Sequence, residues 1–135
     1  MGVIKRAARR REMAYWGRLS LALGEEPIDY ANLLADWADD GDPGTLYLTS
    51  RRVVWISADG TRADIDLAWF DGCRGALRGS LQGWEVAFRP DGGDAQVTLA
   101  FFPSMPKVRA NRMLAERFFN TAAEALCKAH PDWQS

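Results

Sequence analysis

The sequence predicts a single mainly-β domain: a barrel or sandwich of seven short strands, closed by a long C-terminal helix and preceded by a helical arm. Three observations carry this. From about Leu33 the apolar residues alternate, or cluster in runs of four to eight, between Gly, Asp and Pro. The breakers Asp39-Asp40-Gly41-Asp42-Pro43-Gly44, Ala58-Asp59-Gly60 and Pro90-Asp91-Gly92-Gly93-Asp94 have hairpin chemistry, because glycine takes positive φ without strain. Near the C-terminus the period changes: Leu114, Phe118, Ala122 and Leu126 step by four. At 135 residues, 47% of them hydrophobic, the chain suits one globular domain.

In chain order, residues 3–23 read as a helix. Ile4, Ala8, Tyr15, Leu19 and Leu23 make a thin apolar stripe, and Gly24 and Pro27 end it. Strands follow near Leu33–Ala38, Thr45–Thr49, Arg52–Ser57, Arg62–Ala68, Cys73–Arg78, Gly83–Arg89 and Ala95–Phe102. Leu46, Leu48, Val54 or its neighbour Val53, Ile65, Val86 and Val97 are expected inside. Leu114, Phe118 and Leu126 pack across them, with Ala115 and Phe119 widening the stripe. Ser104 is placed to cap the last helix, with Pro106 in its first turn and Pro131 ending it. Of the six tryptophans, Trp55 and Trp84 belong to the core, Trp37 and Trp69 to strand ends, and Trp16 and Trp133 lie outside the barrel. The division expected is an arm over residues 1–27 and a barrel with its helix over 28–135.

The net charge of −1 conceals an uneven layout. Residues 1–18 hold six basic side chains against Glu12, and residues 19–44 hold seven acidic ones with no Lys or Arg. Cys73 and Cys127 are isolated, so no zinc or redox motif is implied. Gly17, Arg18 and Ser20 interrupt any signal-peptide core, and no apolar run could span a bilayer. Free thiols without a secretory signal point to a cytoplasmic protein, membrane-associated at most. Fourteen arginines to three lysines suggest a GC-rich bacterial or phage genome.

Gly44-Thr45-Leu46-Tyr47-Leu48-Thr49-Ser50-Arg51-Arg52-Val53-Val54-Trp55-Ile56-Ser57 resembles the second and third strands of GRAM-type and bacterial pleckstrin-homology-like domains. There a strand ending in Leu-x-Leu-Thr turns over two residues into Arg and an apolar strand. Leu33–Ala38 is similar to their first strand, and the likeness covers roughly residues 28–130. It implies a partly open seven-stranded barrel of two antiparallel sheets capped by the C-terminal helix, with the N-terminal helix as an addition. It also implies a binding module, whose ligand end lies at the loops after strands one, three and six.

Those loops hold Asp39, Asp40, Asp42, Asp59, Asp91 and Asp94. A phosphoinositide headgroup needs Lys and Arg donors, so none is expected at that end. The aspartates lack the alternation and closing Glu of a calcium loop. Catalytic residues are not legible: His130 stands at a helix end far along the chain from either cysteine, and no phosphate or dinucleotide loop occurs. The expectation is a non-catalytic module with no metal or cofactor, which recognises a protein partner or self-associates as a homodimer. The alternative is docking on an anionic membrane through Lys5, Arg6, Arg9, Arg10, Arg11, Tyr15 and Trp16. Nucleic acid is not expected, because base-reading chemistry is missing. Arg51, Arg74 and Arg78 form a candidate secondary basic patch.

Overall fold

The computed structural model describes residues 16–36 and 41–133. Its strands are β1 (Pro27–Ala35), β2 (Asp42–Thr49), β3 (Arg52–Ser57), β4 (Arg62–Asp66), β5 (Phe70–Arg78), β6 (Leu81–Phe88) and β7 (Val97–Pro103). A long helix, α1 (Arg109–Ala129), follows. All pairings are antiparallel, in the order β4-β3-β2-β1-β7-β6-β5. β1 belongs to both halves: it pairs with β2 along its length, and with β7 only from Leu33 to Ala35. The sheet curls about that strand into a half-barrel, and α1 packs over β1, β6 and β7.

Alternation places Leu33, Leu46, Leu48, Val53, Trp55, Ile65, Val86, Leu99 and Phe101 in the core with Phe118 and Leu126. Val54 is buried too, but in a second cluster with Tyr47 and Leu19. Gly83 is required where it stands. A Cβ there would lie 2.5 Å from the Phe101 carbonyl oxygen and from the Phe102 ring. Phe102 in turn carries the Arg78 guanidinium 4.6 Å above its centroid.

Several sequence expectations are corrected. β1 starts at Pro27 rather than Leu33, and β4 gives way to a 3-10 turn over Leu67–Trp69. Val97, expected inside, is exposed; it shares the core face with its partner Phe88 but stands at the very end of its strand. Leu114 is 46% exposed, because α1 turns Ala115, Phe118, Phe119, Ala122 and Leu126 to the sheet instead. The two alanines let the helix approach closely while the phenylalanines meet Trp84, at centroid separations of 6.4 and 6.1 Å. Ser104 does not cap α1: Val108 holds that position with no side-chain bond, and the Ser104 hydroxyl accepts from Asn111 Nδ2 at 3.4 Å.

Residues 3–15 of the predicted N-terminal helix lie outside the described residues, and beyond Gly17 the chain departs from it. Trp16 and Gly17 are helical, but residues 18–26 are not, with Ser20 at φ 51° and Gly24 at φ 81°. They form a strap across the outer face of β1, β2 and β3. Leu19 leaves the helical path to fill the space between Tyr47 and Val54, whereas Leu23, expected on the same stripe, is exposed. Trp16 packs edge-on to Tyr30 and Tyr47, at 5.8 and 5.6 Å. The strap is latched by Glu25, which is buried. Its carboxylate accepts from Thr49 Oγ1 at 2.6 Å, Arg52 Nε at 2.8 Å and the Ala22 N–H at 2.9 Å. Arg52 also donates to the Leu19 carbonyl at 3.1 Å, and Arg62 donates to the Arg18 carbonyl at 3.0 Å. The acidic segment after residue 18 thus meets the arginines of β3 and β4.

Candidate functional site: a groove between the edge strand and the helix

The half-barrel leaves two edge strands, and they are guarded differently. β4 is five residues long and carries the exposed Arg62, Asp64 and Asp66. Its Arg62 is tied to both Asp64 and the strap backbone. Short, charged edges of this kind resist pairing with another strand. β5 is nine residues long, lacks proline, and has a register irregularity between Phe70 and Gly72. Among the described residues no strand pairs its outer side.

Facing β5 is a groove of about 770 Å³, because α1 lies over β6 and β7 and stops short of the edge. Residues directly opposite in an antiparallel pair share a face. Cys73, Gly75 and Leu77 are opposite Val86, Trp84 and Gln82, so all three look toward the helix side. Trp84, stacked on Phe119 at 6.1 Å, makes the floor. Asn120, Ala123 and Cys127 form the helix wall, and Trp133 closes the groove after stacking on His130 at 4.4 Å. Leu77 lies on the inward face yet is 72% exposed, since the helix does not reach it. Gly75 adds no side chain over Trp84, and a Cβ there would meet nothing within 4 Å.

The polar chemistry is sparse. The Trp84 Nε1–H is buried without a full hydrogen bond and leans on the Cys73 sulfur. Burial pushes the Cys73 thiol up, and that contact pulls it partly back, so the sulfur stays a protonated thiol rather than a thiolate. Glu116, Gln82 and Arg74 mark the rim, with Arg74 paired to Glu85 at 2.8 Å. His130 Nε2 donates to the Leu67 carbonyl at 2.7 Å, which fixes the C-terminal end of α1 against the turn before β5.

Of the residues singled out from sequence, Lys5, Arg6, Arg9, Arg10, Arg11 and Tyr15 lie outside the described residues, as do Asp39 and Asp40. Arg51 and Arg78 fall at opposite ends of β1. Arg51 donates to the Leu23 carbonyl at 3.3 Å, ahead of the strand, and Arg78 pairs with Asp36 at 2.6 Å, just past it. The structure does not bring them together. Cys73 and Cys127, unrelated in sequence, line one groove. Asp59 is a turn-former that accepts from Ser57 Oγ and the Thr61 N–H. These bonds hold its carboxyl low, at about 2. Among the described residues no helix is long and apolar enough to cross a membrane.

No family model matches the chain, and no curated protein sequence matches it either. Solved structures do. The N-terminal PH domain of Vps36 superposes with a TM-score of 0.59 over 81% of this chain and 84% of its own, at 16% sequence identity. A likeness at that identity is one of architecture. With seven antiparallel strands curled into a half-barrel and closed by a C-terminal helix, the chain has a pleckstrin-homology-like fold.

Proposed function

We propose that the protein is an interaction module that recognises a protein partner by accepting an extended segment of it on β5. The observation that carries the reading is Leu77, an inward-facing apolar side chain left exposed on an unpaired edge strand above an apolar groove. Strand addition suits this arrangement. The free backbone groups of β5 supply affinity, and every second side chain of the guest points into the groove, where specificity resides. Trp84 and Phe119 offer an aromatic floor for one apolar anchor, and Gly75 leaves room for it. The groove supplies few polar groups, which suits binding better than acid–base chemistry.

The test is selection of linear peptides from a displayed library on the full chain. Selected peptides should alternate apolar and polar residues. They should lose at least tenfold in affinity on Leu77→Asp or Ala123→Trp, with melting temperatures within a few degrees of wild type, and they should protect Cys127 from alkylation. Peptides that bind both variants as well as wild type, leaving Cys127 reactive, would remove the groove from consideration.

A further inference from the structure

Four exposed apolar side chains, Met105, Val108, Met113 and Leu114, crowd into ten consecutive positions. Met105 and Val108 stand in the turn leading into α1, which is closed by the Val108 N–H donating to the Met105 carbonyl at 3.0 Å. Arg112 fastens that turn to the helix by donating to the Pro106 carbonyl at 2.5 Å. At about 100° per residue, Arg109, Ala110, Met113 and Arg117 fall on the side of α1 opposite the buried Ala115, Phe118 and Ala122. Turn and first helical turns therefore form one projecting tip, whose two methionines are each 58% exposed.

The charge on the tip is one-sided. Lys107, Arg109, Arg112 and Arg117 stand there against Glu116 alone, and Arg117 is satisfied by Asp29 at 2.9 Å. Lys107 and Arg109 are exposed and form no ion pair among the described residues. Protein interfaces deplete lysine and charge at their apolar centres. Here cations are interleaved with flexible apolar side chains. That suits a surface whose outer layer is anionic and whose next layer is hydrocarbon.

We propose that this tip docks the domain on an anionic bilayer, with Met105, Val108 and Met113 entering the acyl boundary and Lys107 and Arg109 among the headgroups. The site is separate from the β5 groove, because none of these five residues lines it. It also lies close to Trp16, the first of the described residues. Trp16 shares a cleft with Ile28, Leu114 and Arg117.

The experiment is sedimentation of the full chain with vesicles of phosphatidylcholine, with or without phosphatidylserine. Binding should require phosphatidylserine and weaken as salt rises. Lys107→Ala and Arg109→Ala should each weaken it about fivefold. Met105→Glu with Met113→Glu should weaken it at least tenfold, with the melting temperature unchanged. Deleting residues 1–15 should weaken binding but leave it dependent on Met113. The proposal fails if wild type ignores phosphatidylserine, if the double variant binds as wild type does, or if the deletion abolishes binding. It also fails if the double variant abolishes self-association while leaving vesicle binding intact, since the tip is then a contact between copies.

Discussion

Glu25 shows how much one side chain can organise here. Arg52 first, then Thr49 and the Ala22 amide, hold its carboxyl at about 2, against an ordinary value of 4.5, despite the opposing effect of burial. A carboxylate depressed on folding adds stability that is present above its unfolded pKa and lost as pH falls through the folded one. For Glu25 that window runs from about 4.5 down to about 2, and the full shift corresponds to roughly 3 kcal/mol. Melting temperature should therefore fall across that window, and Glu25→Gln should lose most of the slope while costing about 1–3 kcal/mol at neutral pH. Asp64, held low by Arg62 and Arg52, would supply part of the residual slope. A wild-type slope retained in full by the variant would show that the latch does not work as drawn. Arg52 was legible in sequence as the arginine that opens its strand, but Glu25 was not, because it sits inside an acidic block that reads as a solvated face.

The strap is the element that sequence periodicity misread, and the reason is physical. Leu19 and Leu23 share a helical spacing with Tyr15, yet burying Leu19 between Tyr47 and Val54 required the chain to leave the helix. The contrary signal lay in the strands. Leu46-Tyr47-Leu48 and Val53-Val54-Trp55-Ile56 do not alternate, which is the mark of a sheet covered on both faces. Leu19→Ala should cost about 2–5 kcal/mol in denaturant unfolding, and Leu23→Ala next to nothing. Equal effects from the two would mean the strap is not packed. The turn motif around Ser50 and Arg51 and the succession of strands along the chain were readable because they are local. The rotation of α1 was not, since Leu114 and Ala115 fit its periodicity equally well and only contact with Trp84 and Phe119 decides between them.

At the scale of the molecule the architecture was legible, and the groove was not. It arises where α1 ends short of β5, a distance that no spacing in the chain encodes. The charge of the loop end was readable, since Asp42, Asp59, Asp91 and Asp94 are all acceptors. Soluble inositol phosphates should accordingly show no saturable binding at physiological salt by calorimetry, and micromolar binding that shifts the amides of residues 41–44 would refute that charge argument. The two-sided role of β1 has a further consequence, for the order in which the chain can fold. β2 meets β1 across a short loop, and the hairpins β2–β3, β3–β4, β5–β6 and β6–β7 close between chain neighbours. The β1–β7 seam joins Leu33 to Pro103, seventy positions apart, through three residue pairs. Closing so long a loop has a high entropic cost before any contact repays it. The hairpins can thus assemble as two independent curls, and pairing at Leu33–Ala35 is the expected slow step of folding.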